Sequence, residues 1–408
     1  MEQEPQVFMV ENIIPHYYES IKFSEKYTIV LLKASERSTL TNLEDNHNFR
    51  IVEASRSEVE NLHQGHFFFY NEEVFENANK SPIAKRHIYY NNLLRGRLIK
   101  KQLNIESESL PVIISEVHSY HINVGHGNCS ILVINESGSI KIWMIDCSEY
   151  DYLNHRNYSG NIQTCFSYIQ DKFSLKRLVI NKFFLTHSHY DHYSGISRLI
   201  DHSNITSDTI FFLNSHYSMP SENYNRLLRK ILLLRCKIVE PLSSFLTNEI
   251  QIWHPEKRTI KTRSRAYLNQ DVQVEPNPNN SSSVLYFRLG GKSILFPGDI
   301  ETERWNTIHH CHPHLKRSNY YMISHHGSLN GHLRDQCPVN MRITNMSKCL
   351  LKTSTPVLMG RNGAYNGIYS LQVLRDFPQL IYSEKNPQNH EAKFLQIDWQ
   401  TNQYTWFL

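Results

Sequence analysis

The chain has 408 residues, 40% of them apolar and 20% charged, with 43 lysines and arginines against 39 acids and a formal net charge of +4. That length holds two ordinary domains or one elaborated one, and the composition excludes a disordered tail, a collagen-like repeat and a small disulfide scaffold. The charge balance is too even to argue a nucleic-acid partner by itself.

The chain begins Met1-Glu2-Gln3-Glu4, acidic where a secretion signal would be basic, so export by that route is not expected. Apolar runs at 29–32 and 231–234 break at Lys33 and Arg235, far short of the roughly 20 residues that span a bilayer. Seven cysteines, an odd set without a Cys-x-x-Cys pair, suit reduced thiols, and a cytoplasmic location with no membrane partner is expected. Residues 27–33, 49–53 and 66–70 read as short strands and 57–62 as a polar helix, without a catalytic spacing. A polar segment ends at Pro111, where the pattern changes, and this divides the chain into 1–110, a small α+β domain, and 111–408. Strands are predicted at 118–124, 129–135 and 140–146, then a helix at 162–173 with Ile162, Cys165, Phe166, Ile169 and Phe173 on one face. A buried strand at 178–185 runs into His187-Ser188-His189-Tyr190-Asp191-His192, and a helix starts near Tyr193. Later strands at 209–213, 283–289, 293–297, 320–324, 356–358 and 394–398 alternate with helical stretches, which implies mixed sheets faced by helices.

The 23 histidines direct attention to spacing. Three imidazoles and a carboxylate within six residues at a strand end are too many ionisable groups to leave unorganised. Neutral imidazole and carboxylate suit a divalent zinc, manganese or iron ion, and in a loop alternate residues can face two neighbouring metal positions. A solvated polar turn is the bland alternative. Asp299 and His325 each follow a predicted strand, so all these groups would meet at one sheet edge.

With His187-x-His189-x-Asp191-His192 in place, the chain resembles the metallo-β-lactamase-fold hydrolases over about 118–400, and is most similar to the branch typified by the nuclease-like domain of the DNA-uptake protein ComEC. His121 to Cys129 is similar to that branch's opening strand and turn, with Gly125-His126-Gly127-Asn128 where Gly-Gln-Gly-Asp is usual. Asp146 matches the aspartate that buttresses the metal loop from behind, Gly298-Asp299 the motif whose aspartate bridges two metals, and Ser324-His325-His326-Gly327-Ser328 the branch's Ser-His-His-Gly-Ser. The resemblance implies an αββα sandwich after a small N-terminal α+β domain, and one or two divalent ions, Zn or Mn, held by His187, His189, Asp191, His192, Asp299 and His325. Asp191 would orient the attacking water and His326 protonate the leaving oxygen, with Asp146, Asn280 and Ser328 around the ligands.

Two departures stand out. Asn279-Asn280-Ser281 occupies the place of a third-motif histidine, as in the ComEC-like branch, and Gly367 takes the place of that branch's later histidine. His216 could supply a replacement ligand, and His126 a phosphate contact. His309 to His314 reads as a polar connection, with a second metal site as the alternative. Two acid-free basic stretches could follow a phosphate backbone: Lys80, Lys85, Arg86, Arg95, Arg97, Lys100 and Lys101 with Tyr89 and Tyr90, and Lys257, Arg258, Lys261, Arg263 and Arg265. The expected activity is phosphodiester hydrolysis, most of all of DNA. A small or cyclic-nucleotide phosphodiesterase, or a binding module with a weakened metal site, are the alternatives. Residues 1–110 could meet a protein partner.

Overall fold

Strand alternation explains how the two main sheets find each other. The structure is a computed structural model that describes residues 6–16, 26–34, 46–71, 74–101, 113–215, 218–243, 245–255, 277–301, 304–305, 308, 318–331 and 355–408. The first hundred residues form β1 (Val7–Pro15), β2 (Lys26–Lys33), β3 (Phe49–Ser55), the one-turn α1 (Arg56–Val59), β4 (Phe67–Tyr70), β5 (Phe75–Asn77) and the long α2 (Pro82–Lys101). The strands pair antiparallel in the order β3-β2-β1-β4-β5. The expected division near residue 110 falls outside the described residues.

The next elements are β6 (Ile114–Ile122), β7 (Cys129–Glu136), β8 (Ser139–Cys147), β9 (Tyr150–Asp151), β10 (Arg156–Asn157), α3 (Ser159–Lys172), β11 (Lys182–Leu185), α4 (Tyr190–Tyr193) and α5 (Ile196–Asp201). There follow β12 (Ile210–Leu213), α6 (Glu222–Leu234), β13 (Lys237–Val239), β14 (Ile250–His254), β15 (Val284–Leu289), β16 (Lys292–Phe296), β17 (Tyr320–Met322) and β18 (Thr355–Leu358). The chain ends in β19 (Asn366–Tyr369), α7 (Leu371–Asp376), β20 (Ile381–Tyr382), β21 (Phe394–Asp398) and β22 (Gln403–Phe407). One sheet has the order β13-β12-β11-β8-β7-β6-β21-β22, the other β14-β15-β16-β17-β18-β20. Strands β8, β11, β12 and β13 run parallel, as do β16, β17, β18 and β20, and so their C-terminal ends gather along one edge.

Residues of opposite parity serve opposite faces of each strand. Trp143 and Ile145 of β8, Phe184 of β11 and Phe212 of β12 meet Leu285 and Phe287 of β15 and Ile294 and Phe296 of β16 between the sheets. Met144, Phe183, Leu185, Phe211 and Leu213 face outward, where Ile162, Cys165, Phe166 and Ile169 of α3 and Leu227, Leu228 and Ile231 of α6 cover them. On the far side Tyr321 of β17 meets Phe377, just past α7, at 5.8 Å. Helix, sheet, sheet, helix is the expected layering. Phe184 marks the dry centre, stacked on Phe212 at 4.3 Å and edge-on to Phe287 at 5.0 Å.

The N-terminal sheet shares core with the sandwich. Phe8, Val10, Ile29, Leu31 and Phe68 form a cluster of their own. Ile14, Val30, Leu32 and Phe49, with Leu94 and Leu98 of α2, join the large cluster of α3 and α6.

Candidate metal centre

Buried strands end abruptly at the loop edge and hand over to short turns, which is where the unusual side chains collect. Thr186 follows β11, and its carbonyl accepts the Ser283 N–H at 2.8 Å ahead of β15. Asp299 N–H donates to Ser282 Oγ at 3.1 Å, and His325 N–H to the Gly298 carbonyl at 3.2 Å. Four separate segments are thereby stitched together by their backbone N–H groups. Gly298 is required there: its φ is +58°, and a Cβ would lie 2.9 Å from that of Thr186.

Asp191, His192, Asp299 and His326 each offer a ligand atom, all within 4.8 Å of one another and all buried. His326 Nε2 stands 3.3 Å from Asp191 Oδ2 and 3.4 Å from Asp299 Oδ2. His192 Nε2 is 3.3 Å from Asp299 Oδ1. His187 lies against His192, ring centroids 4.0 Å apart, with its Nε2 3.1 Å from His189 Nδ1. His325 sits at the margin, its Nε2 3.9 Å from Asp299 Oδ2. Of the two adjacent histidines, then, the geometry places His326 within the group, where the sequence pattern had suggested His325 as ligand and His326 as proton donor.

Asp146 is arranged to orient His192. Its Oδ1 accepts the Thr186 N–H and its Oδ2 the Thr186 hydroxyl, both at 2.8 Å, and Oδ2 also faces His192 Nδ1 at 2.8 Å. A proton held on Nδ1 by that carboxylate makes Nε2 the nitrogen that would exchange its proton for a cation. Burial works against charge on His192 and His326, but the Asp299 carboxylate and the neighbouring aspartates outweigh it. They lift His192 well above the usual imidazole range and His326 to about 9. Burial likewise opposes charge on Asp191 and Asp299, yet the imidazoles around them, His192 foremost, hold both well below the usual carboxylate range.

Among the described residues, Nε2 of His189, His192 and His326 and Oδ1 of Asp191 and Asp299 have no hydrogen-bond partner. Orphaned donors and acceptors inside a protein are costly and rare. Two carboxylates and several imidazoles turned inward on one point fit a divalent cation of the zinc or manganese type.

His126 belongs to this group, as its Nε2 is 3.4 Å from Asp191 Oδ2 and its ring 4.5 Å from that of His326. Its loop is pressed onto the metal loop. Gly127 has φ +156°, a Cβ there would meet the Asp191 carbonyl at 2.7 Å, and Asn128 N–H donates to that same carbonyl. Burial pushes His126 down to about 3, which keeps its ring neutral. The Arg361 segment closes in beside it: Arg361 Nε and His126 N–H both donate to Asp151 Oδ2 at 3.0 Å.

The remaining expected residues are placed as follows. Asn280 binds Glu301, whose N–H donates to Asn280 Oδ1 at 3.2 Å, while Asn277, Asn279 and Asn330 amides donate to the Glu301 carboxylate. Ser328 is buried, and its N–H closes a turn onto the His325 carbonyl. Gly367 lies in β19 and offers no side chain. Arg95 is no surface cation: it is 3% exposed and its Nε donates to the Ser215 carbonyl at 2.8 Å. His216, His309 to His314, and Lys257, Arg258, Lys261, Arg263 and Arg265 lie outside the described residues.

One group at the centre went unforeseen. Glu11 of β1 is 1% exposed, and its Oε1 accepts the N–H of Tyr190 in the metal loop at 2.9 Å. A motif search cannot see a contact across 179 positions. The signal available was Glu11 as the lone acid in β1, where only it and Asn12 interrupt an apolar run.

Residues 171–311 match the family model described as the metallo-beta-lactamase superfamily. Among solved structures, the metallo-beta-lactamase fold protein YhfI from Bacillus subtilis is similar at 8% identity, covering 65% of this chain and 95% of that one, with a TM-score of 0.34. A diphosphatase from the PhnP family matches at 9% identity over 70% of this chain and 99% of its own, TM-score 0.35. A CmlA beta-hydroxylase mutant matches at 11% identity over 93% and 71%, TM-score 0.34. No curated protein matches the sequence. The chain is thus an αββα sandwich of two mixed sheets between helices, within which residues 171–311 match the metallo-beta-lactamase superfamily.

Proposed function

We propose that this protein is a metal-dependent phosphodiester hydrolase of the ComEC-like kind, acting on DNA in the cytoplasm. The observation that carries the reading is the buried set Asp191, His192, Asp299 and His326, with Asp146 orienting His192. A zinc or manganese ion held there by these residues with His187 and His189 supplies Lewis acidity and activates water at neutral pH. The chain's own groups divide the remaining work. Asp191 and Asp299 balance the cation, while His126 and His325, both lowered by burial, face the aspartates as neutral rings.

DNA is favoured over a small substrate by α2, which carries no acid at all. Lys85, Arg97, Lys100 and Lys101 are exposed on it, and Tyr89 is 63% exposed between them. Cations with an accessible ring are the means by which proteins hold a phosphate backbone and stack on bases. Asn91 of the same helix donates to the Met219 carbonyl, and Met219 N–H donates to Ser188 Oγ in the metal loop, so this basic helix is two hydrogen bonds from the centre.

The test pairs metal analysis with cleavage of single- and double-stranded DNA in Mn2+ or Zn2+, alongside Asp191→Ala and Asp299→Ala. Metal-dependent cleavage, weakened by salt and lost in both variants, is the expected result. Turnover of bis-p-nitrophenyl phosphate without DNA cleavage would turn the reading toward a small phosphodiester. Cleavage that survives both substitutions would sink it.

A further inference from the structure

Glu11 occupies a β-bulge. Val10 pairs with Leu31 and Asn12 with Val30, which leaves Glu11 as the extra residue of β1. A bulge re-aims a side chain that regular alternation would point elsewhere, and here it sends a carboxyl group into the sandwich's loop edge. Oε1 accepts the Tyr190 N–H, while Oε2 is buried with no hydrogen-bond partner among the described residues. Burying such a group costs stability unless it is compensated, so packing of β1 alone gives no reason for it.

The metal loop gives the reason. Tyr190 opens α4, whose first N–H groups need acceptors from outside the helix. The preceding residue, His189, makes no capping bond with its side chain. A histidine whose ring serves the metal centre cannot also turn back to cap the helix. The acceptor comes instead from β1. Through Asn91 and Met219, α2 holds Ser188 in the same loop. One tether comes from β1 directly and the other from Met219, itself held by Asn91 of α2, and they grip the loop on either side of His189.

We propose that Glu11 is a positioning residue of the metal centre: by holding the Tyr190 N–H it sets the aim of His189 and Asp191, and the N-terminal sheet is thus a working part of the site. This rests on the reading of the site as a metal-dependent hydrolase. It acts through Tyr190 and touches neither metal nor substrate.

The experiment compares Glu11→Met, which keeps the volume and loses the acceptor, with Glu11→Gln, which keeps an acceptor oxygen, both in the full chain. Mn2+ and Zn2+ affinities are measured by competition with a chromophoric chelator, and kcat and KM with bis-p-nitrophenyl phosphate. Loss of an outer hydrogen bond to a ligand loop weakens metal binding by about 10- to 100-fold, and Glu11→Met is expected to fall in that range with kcat reduced and KM unchanged. Glu11→Gln is expected to stay close to the unsubstituted protein. Unchanged metal affinity in Glu11→Met, or an equal loss in Glu11→Gln, overturns the proposal. Should Glu11→Met not fold, Glu11→Asp, whose shorter side chain withdraws from Tyr190, puts the same question, and unchanged affinity there is equally decisive against it. Metal affinity is read without turnover, so absence of hydrolysis would count against the hydrolase reading and leave this result standing.

Discussion

Two buried regions of the same sandwich treat their histidines in opposite ways. Within the strands, His121 is fully buried, with Nδ1 3.0 Å from Ser130 Oγ and Nε2 3.1 Å from Ser119 Oγ. At the loop edge, His189, His192 and His326 are as deeply buried, yet each keeps an Nε2 without a hydrogen-bond partner among the described residues. The first arrangement is that of a side chain settled for stability. The second holds polar atoms in a costly state, which a fold maintains where a ligand completes the set. Burial alone does not separate a structural histidine from a functional one; at the edge it is the convergence of several such ring nitrogens on two carboxylates that does.

The sharpest way to break that contrast is to damage the strands and leave the edge intact. Phe184→Ala removes a ring from between Phe212 and Phe287 and is expected to cost about 3–5 kcal/mol in denaturant unfolding, with metal stoichiometry unchanged in the protein that remains folded. Loss of metal binding in proportion to stability would erase the distinction between the two regions.

A pH comparison follows in size. Burial raises Glu11 to about 8 from an ordinary value of 4.5, so the folded state holds its proton more tightly than the unfolded chain. The stability this contributes is fully present below about pH 4.5 and is lost as pH rises through about 8, an effect on the order of a few kcal/mol. Thermal melts of metal-free protein should show the unsubstituted chain losing stability relative to Glu11→Gln between about pH 5 and pH 8. Parallel profiles would refute the assignment.

Metal itself should stabilise the edge and do nothing for the strands. Saturation at about 100 times Kd adds about 2.7 kcal/mol to unfolding, and the gain should vanish in Asp299→Ala. The smallest expected effect belongs to Asp146→Asn. Its amide can still accept from Thr186 but fixes the His192 proton less firmly, and metal affinity should drop about tenfold with little change in melting temperature. An unchanged affinity would show that His192 needs no such partner.

How far the sequence could be read depends on the range of the interaction. The alternation in β8, β11 and β12 reflects contacts repeated every second residue, and those strands were legible with ends off by a few residues. The loop 187–192 was legible because its chemistry is packed into consecutive positions. Helix α2 was seen only as a charged stretch, because its buried face mixes His87, Asn91 and Arg95 with Ala84, Leu94 and Leu98 and blurs the apolar stripe. Asn280 was expected beside the metal ligands, but four asparagines gather on Glu301, an arrangement that no local pattern encodes.

The order and spacing of His187 to His192, Asp299 and His325-His326, through the resemblance they carry, were sufficient to determine the fold class and to nominate one sheet edge as the site, since strand-end placement follows from local periodicity. Which of two adjacent histidines enters the group, that Asp146 meets His192 within the loop, and that Glu11 reaches the metal loop were decided only by tertiary structure. These depend on left-handed turns at His325 and His326, on the parallel register of β8 and β11, and on a bulge in β1. Each is a choice of direction for one side chain, made when distant segments close on one another.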